Sequence, residues 1–285
     1  MGMVRRWFVT LAASVALAAL GWSLTFPGGV LAGAPGDASA AGSPVAGRET
    51  IDALRQQLQR AREQFHRGGP QAAPALDDLR ALADRLHEAA LSASSRGDAE
   101  GEGEALSDEA IALLELVNVT EGQGPNAEAY ALLERAERAA LRAVEIAPRQ
   151  SEAHRLLGEV SMRLLAYRGS AALSLVSRTQ RELEMAIRLD AGNPAAFLAM
   201  AQFEWGAPAG LGGGPARGLQ LVEQALKVAR TDLDRYLAYV WQGNLLQKMG
   251  RSQAAREAYA RALAIYPDGG MARQFRQAAE KGNAG

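Results

Sequence analysis

The side chains best suited to catalysis or metal binding are few and widely separated along the chain. The sequence contains three histidines, His66, His87 and His154, and no cysteine. Thiolate metal sites, cysteine nucleophiles and disulfides are therefore excluded. No histidine has a second ligand four residues away, and no serine lies in a G-x-S-x-G motif. We predict a protein that is not an enzyme and needs no metal or cofactor, with His154 in a structural role and His66 and His87 solvated or capping.

One acidic segment matches part of a calcium-binding loop. Its residues fall at positions 1, 3, 5, 6 and 12 of the twelve-residue template: Asp98, Glu100, Glu102, Gly103 and Glu109. Positions 3 and 5 of such loops prefer the shorter Asp or Asn, and no second loop exists to pair with it. We interpret the polar stretch 96–104 as an acidic, glycine-rich linker in solvent.

A second glycine-rich segment resembles a phosphate-binding loop only superficially. In residues 210–218, Pro215 replaces a required glycine, no strand precedes the segment, and no Lys-Ser/Thr pair follows it. We predict a flexible loop between two helices, Gly206 to Pro215. Long loops in compact folds are often functional, so this loop is a second place to look for a binding role.

Composition excludes several other classes of protein. With 285 residues and 48% hydrophobic residues the chain can bury a substantial core, and its formal net charge of -1 offers no basic excess for a phosphate backbone. We therefore predict no nucleic-acid partner.

The N-terminus has the order of a secretory signal peptide. Arg5 and Arg6 precede an apolar run from Trp7 to Leu24, and small residues around Ala32 fit a peptidase site. We predict a signal peptide over 1–32 and export to the bacterial periplasm. The alternative is an uncleaved anchor in the inner membrane facing the periplasm, the only segment that would contact a membrane. Residues 33–48 are rich in Ala, Gly, Ser and Pro and are predicted to be a flexible linker.

From residue 49 onward the apolar residues keep helical spacing and predict an all-α fold. Residues 49–105 are expected to form a helical hairpin followed by the acidic linker. The apolar positions of its two helices are Ile51, Leu54, Leu58, Ala61 and Phe65, then Leu76, Leu79, Ala83, Leu86 and Ala90. Gly68, Gly69 and Pro70 separate the two helices.

A repeat follows the hairpin, over residues 106–269. Its clearest copy spans Tyr236 to Gly269, with small, aromatic and proline residues at fixed offsets: Gly243, Gly250, Ala255, Tyr259, Ala262 and Pro267. Longer copies span 151–193 and 194–235, and a degenerate copy begins near Leu106. Residues 270–285 are expected to cap the array.

This spacing resembles the tetratricopeptide repeat (TPR) superfamily, which implies a right-handed helical solenoid that binds a partner in its concave groove. An exported array with the insertion Ala207 to Gly213 is also similar to the periplasmic TPR components that accompany tripartite (TRAP-type) transporters. By the resemblance, the groove would be lined by Arg155, Glu159, Met162, Leu198, Gln202, Trp205, Val240, Asn244 and Gln247.

Two functions follow as expectations. The first is an exported, non-catalytic scaffold that binds a protein or peptide partner in the cell envelope, including a transporter component. The alternative is a transporter-associated accessory protein that binds a small apolar ligand or lipid near Leu198, Trp205, Leu237 and Val240.

Overall fold

The computed structural model describes residues 44–121, 124–169, 172–206 and 214–282, and all regular structure in these ranges is helical. The predicted all-α class is thus confirmed. Eleven α-helices follow one another through the described residues: α1 (Pro44–Arg67), α2 (Ala72–Ser95), α3 (Ala99–Thr120), α4 (Ala127–Ile146), α5 (Ser151–Leu164), α6 (Ala172–Leu189), α7 (Pro194–Gly206), α8 (Pro215–Val228), α9 (Asp232–Lys248), α10 (Ser252–Ile265) and α11 (Gly270–Gly282).

Side-chain caps fix where several helices begin. Asn126 accepts a hydrogen bond from Ala129 N at 2.9 Å, as expected for an N-cap, and α4 starts directly after it. Thr231 and Asp234 form a capping box at the start of α9. The last helix pair therefore begins four residues earlier than the 34-residue repeat frame predicts.

The helices stack in pairs and in two layers. Each odd-numbered helix from α1 to α9 packs against the next even-numbered one, and the odd-numbered helices also contact one another in order. We call α1, α3, α5, α7 and α9 the inner layer and their even-numbered partners the outer layer. The helix α11 packs on α9 and α10, where Met271 and Phe275 join the hydrophobic clusters of those helices.

Small residues lie where paired helices cross. A Cβ at Gly158 would lie 2.7 Å from the Leu183 side chain, and one at Gly243 would lie 2.3 Å from the Tyr259 ring. Ala201 is fully buried. These are the close approaches that a helical-repeat fold requires.

The turn between α2 and α3 is shorter than the linker predicted from the sequence. The acidic stretch 96–104 is not a linker, because α3 already begins at Ala99 and only Arg96 to Asp98 form the turn. Asp98 caps α3 by accepting from Gly101 N at 2.9 Å, and Arg142 pairs with Glu102 at 2.9 Å, so the acidic run is stable as a helix.

The remaining linker predictions fall largely outside the described residues. In the predicted linker 33–48, residues 44–48 form the first turn of α1 instead. The signal peptide and the rest of that linker lie outside the described residues, as do positions 207–213 of the glycine-rich loop. Among the described helices, none is both long and apolar enough to cross a membrane.

Candidate functional site

The two ends of the helical array contact each other. α11 packs against α1, and the turn that follows α1 lies on the turn between α10 and α11. The Tyr266 hydroxyl donates to Glu63 Oε1 at 3.3 Å. A Cβ at Gly68 would lie 1.9 Å from the Asp268 carbonyl oxygen, so a side chain cannot fit there. The inner layer is therefore closed into a core at this point, where the TPR resemblance implies an open groove.

His66 is buried by this end contact. It is 4% exposed, and its Nε2 lies 3.1 Å from Glu115 Oε2 on α3. Its ring centroid lies 6.1 Å from that of Tyr236 on α9. The prediction that His66 is solvated or capping was wrong, because a residue on an isolated helix face becomes interior when the ends of the array meet.

Paired charges run along the interface between α1 and α3. Arg55 Nε lies 2.8 Å from Asp108 Oδ2, and Arg62 Nε lies 2.8 Å from Glu115 Oε1. The two arginines are seven residues apart on α1, and the two acidic residues are seven residues apart on α3. This spacing places the arginines on one face of α1 and the acidic residues on one face of α3. The two helices therefore run in parallel with matched charges.

A second set of charges lies on α5, next to the first. Arg155 Nη2 lies 2.6 Å from Glu152 Oε1, and Arg155 Nη1 lies 2.5 Å from Glu159 Oε2. Burial opposes the charged form of Arg155, but the two carboxylates outweigh it and raise the pKa of its guanidinium. The ionic pairs thus continue across neighbouring inner-layer helices.

The carboxyl groups respond differently to burial. Burial favours the neutral form of Glu115, but its interactions with His66 and Arg62 outweigh that effect and lower the pKa of Glu115 well below its usual range. At Asp108 burial dominates over the attraction of Arg55 and raises the pKa to about 6. Although Asp108 lies within 2.8 Å of Arg55, ionising its carboxyl group therefore costs free energy.

These buried carboxylates are the part of the interior that sequence reasoning missed. Glu109 on α3 is 1% exposed and is held by Arg135 at 2.6 Å and His87 at 3.1 Å. The matched seven-residue spacings of arginines on α1 and acids on α3 were a signal for their pairing. Helical periodicity alone does not reveal it, because it assigns charged positions to solvent.

The nine residues predicted to line a partner-binding groove divide into two groups. Five of them are 7% exposed or less and lie inside the closed inner layer: Arg155, Met162, Leu198, Val240 and Asn244. Four are partly exposed: Glu159, Gln202, Trp205 and Gln247. The continuous open groove is therefore corrected: the first five residues are buried, the other four are accessible, and a cleft of about 430 Å³ remains open between α1, α3 and α5.

Contacts with neighbouring helices explain why the five predicted groove residues are buried. Val240 is fully buried against α10 and α11, and Leu198 is packed with residues of α8 and α9. Asn244 Oδ1 accepts a hydrogen bond from the Tyr259 hydroxyl at 2.7 Å, so its amide oxygen is engaged within the pair α9 and α10. The predicted site for an apolar ligand near Leu198 and Val240 stays a prediction.

Of the accessible group, Gln202, Trp205 and Gln247 lie on α7 and α9, whereas Glu159 lies on α5 and pairs with Arg155. We call Gln202, Trp205, Trp241, Gln247 and Lys248 the aromatic mouth. The rings of the two tryptophans meet edge to face at 6.4 Å between centroids. Lys248 Nζ lies 4.3 Å from the Trp205 ring centroid and donates to the Trp205 carbonyl oxygen. Burial lowers the pKa of Lys248, and no carboxylate of the described residues pairs with it.

Two polar atoms in the aromatic mouth have no hydrogen-bond partner. Trp205 Nε1, a donor, and Gln247 Oε1, an acceptor, are both buried and unpaired among the described residues. They occupy equivalent positions of consecutive repeats on adjacent helices. A buried polar group without a hydrogen bond costs about 1–3 kcal/mol of stability. Each of these two atoms therefore lowers the stability of the aromatic mouth.

The residues considered for metal chemistry serve structural roles. His154 Nδ1 lies 2.7 Å from Glu182 Oε2 and its Nε2 lies 3.0 Å from the Pro148 carbonyl oxygen, so its expected structural role is confirmed. In the calcium-loop template Asp98 is a helix cap and Glu109 pairs with Arg135. No group of three or more acidic or histidine side chains in the described residues is arranged to hold a metal ion.

Comparison with solved structures decides the fold. The thermophilic TPR protein TTC0263 of Thermus thermophilus matches with a TM-score of 0.54 and 19% identity, covering 80% of this chain and 99% of that one. The fold is TPR-like. The helix pairs α5/α6, α7/α8 and α9/α10 are the three repeats predicted with the TPR frame, and the pair α3/α4 is the degenerate fourth. The pair α1/α2 adds the predicted N-terminal hairpin to this TPR-like array.

Other structural matches are weaker. Yeast Tom70 gives a TM-score of 0.31 at 12% identity, covering 96% of this chain and 70% of that one. The assembly chaperone of RpL4 (Acl4) gives 0.34 at 13% identity, covering 81% and 99%. These scores are too low to support an argument about this TPR-like chain. No protein-family model and no curated protein matches the sequence.

Proposed function

We propose that the protein is an exported, non-catalytic scaffold that binds a protein or peptide partner at the aromatic mouth. The observation that carries this proposal is the pair of unsatisfied groups, Trp205 Nε1 and Gln247 Oε1. A peptide group presents one acceptor and one donor, which complement this donor and this acceptor. A bound backbone would therefore supply hydrogen-bond partners to two groups that have none among the described residues.

The surroundings of these groups favour a peptide over a small charged ligand. The exposed Lys248 side chain lies over the Trp205 ring, and its displacement would uncover the indole. Tryptophan supplies a large contact area at low cost in side-chain entropy, which is typical of residues that dominate protein interfaces. Lys248 could then meet an acidic side chain of the partner.

The proposed location follows from the N-terminal sequence. The arginine pair, apolar run and small residues before position 33 support export to the periplasm, with an inner-membrane anchor as the alternative. The partner would then be an envelope protein, and a transporter component is included in that class. N-terminal sequencing of the protein from its own envelope tests this, and a chain that begins at Met1 without membrane association contradicts both forms.

Partner binding is tested with substitutions that each remove polar atoms and keep a bulky side chain. Trp205→Phe removes the donor, and Gln247→Leu removes the acceptor. Gln224→Leu, at an exposed position of α8, is the matched control. Tagged proteins would be crosslinked in the native envelope, purified and compared by quantitative mass spectrometry. Thermal unfolding followed by circular dichroism checks that each variant folds.

We expect a defined set of crosslinked proteins to fall by about tenfold with each mouth variant, the loss of roughly one hydrogen bond to a partner. The same proteins should be recovered unchanged with Gln224→Leu. Equal recovery with all four proteins would show that partners do not bind at the mouth.

A further inference from the structure

A cleft lies on the opposite, outer side of the array, between α2 and α4. Both helices pack on α3, and the space between them has a volume of about 700 Å³. One end is closed by side chains that bridge the two helices, because Arg135 Nη1 lies 2.7 Å from Asp84 Oδ1. Beyond that bridge the cleft extends to Ser94 on α2 and Arg142 on α4.

The floor and walls of this outer cleft have distinct chemistry. The floor is mainly apolar, formed by Ala90, Leu106 and Ala139, which are all buried, together with the ion-paired carboxylates of Glu102 and Glu109. Leu91 borders the cleft with 54% of its surface exposed, the largest value among the large apolar residues described. Leu91 therefore extends the apolar surface of the floor to the rim of the cleft.

The two walls carry opposite charges. Along α2 the wall is acidic, with Asp84 and Glu88, and along α4 it is basic, with Arg138 and Arg142. Glu88 and Arg138 are exposed and have no ion-pair partner among the described residues, so each is available to an occupant. The floor carboxylates are already neutralised, Glu102 by Arg142 and Glu109 by Arg135.

We propose that this outer cleft binds one amphipathic helix of a partner protein. The helix would place an apolar stripe on Leu91 and the floor, an acidic residue against Arg138 and a basic residue against Glu88. A helix fits because the cleft is a trough between two helices, and a helix can cover its apolar floor while satisfying its own backbone hydrogen bonds. The opposite walls set the direction in which the helix lies.

The test is a selection of helical peptides on the full-length protein. Displayed peptides of about 16 residues, roughly four helical turns, would carry a fixed apolar stripe and randomised flanking positions. Enriched peptides are expected to bear acidic residues on one flank and basic residues on the other. Repeating the selection on Arg138→Glu should replace the acidic preference with a basic one, because Arg142 is paired with Glu102 and the substitution reverses the wall charge that is left for an occupant.

Matched variants locate the binding surface. Leu91→Glu should weaken the selected peptides by about tenfold or more, since it puts a charge under their apolar stripe. Leu141→Glu, at a leucine of α4 that is 45% exposed and does not line the cleft, should leave binding unchanged. Trp205→Phe should also have no effect, which separates this cleft from the aromatic mouth.

Three results would overturn the proposal. The first is a selection on the wild-type protein that enriches no peptide. The second is equal binding of the enriched peptides to wild type and Leu91→Glu. The third is an unchanged charge preference on Arg138→Glu. Because Leu91 and Arg138 are exposed, both variants are expected to fold, and circular dichroism checks this directly.

Discussion

At the scale of single residues, burial rather than pairing decides the state of Asp108. It has a close arginine, yet its pKa is raised to about 6 from an ordinary 3.8. The folded carboxyl therefore holds its proton more tightly than the unfolded one does. As the pH rises from about 4 to about 6, the folded state must give up that proton at a cost, and the contribution of Asp108 to stability falls.

Asp108→Asn should remove this pH dependence, because asparagine stays neutral at nearly the same size. We expect the free energy of unfolding of the variant, relative to wild type, to rise by about 2 kcal/mol between pH 4 and pH 7. Urea unfolding at several pH values measures it, with Asp77→Asn at an exposed position of α2 as the control. A difference between wild type and Asp108→Asn that does not change with pH contradicts the raised pKa.

The residue scale is also where sequence reasoning was weakest. The apolar positions Ile51 and Leu79 could be placed in the core from helical spacing alone, and both are fully buried. Glu115 and His66 could not, because their burial depends on α1 meeting α3 and α9. Periodicity reports which face of a helix is apolar, but it does not report whether a polar face is later covered by a distant element.

At the scale of elements, glycine sets how closely the helices of one pair approach. At Gly243 the ring of Tyr259 occupies the space that a Cβ would need, at 2.3 Å. The Tyr259 hydroxyl is in turn fixed by Asn244. Three residues therefore meet where α9 crosses α10: Gly243, the Tyr259 ring and the buried Asn244 amide. The TPR spacing predicted the first two of them.

Gly243→Ala should push these helices apart. We expect it to lower the free energy of unfolding by about 2 kcal/mol, as for other overpacked sites. Gly270→Ala, at a helical glycine with no atom within 4 Å of its Cβ, is the control and should change stability by less than about 0.5 kcal/mol. Equal effects of the two substitutions in urea unfolding would show that the crossing does not depend on the absence of a side chain.

At the scale of the whole molecule, the repeats predicted the stacking of helices but not its curvature. The repeat frame placed α5 to α10 correctly as three pairs, and the short turn at Gly68 and Gly69 separated α1 from α2 as expected. The curvature that brings α1 to α11 is a sum of small rotations over all the pairs. No single motif encodes that sum, so the groove residues inferred from the TPR frame included five that the closed array buries.

Closure of the array determines which surfaces remain for partners. With its ends in contact, the inner layer buries several of its own ion pairs and keeps a cleft of about 430 Å³ beside them. The accessible margin at Trp205 and Gln247 is the site of the proposed function. The outer cleft between α2 and α4 does not depend on closure. The contact between the two ends therefore determines how much of the inner layer a partner can reach.

A disulfide across the two ends tests that contact most directly, because the chain contains no cysteine of its own. A Cβ at position 69 would lie 3.8 Å from the Asp268 Cβ, close to the usual spacing of about 3.8 Å in disulfides. In the double variant Gly69→Cys with Asp268→Cys, mild oxidation should yield an intramolecular disulfide in most molecules, detected by mass spectrometry and loss of maleimide labelling. The control Gly97→Cys with Asp268→Cys shares the positive φ but has nothing near its Cβ, and should keep both thiols. Free thiols at 69 and 268, as reactive as those of the control, would contradict the closed array.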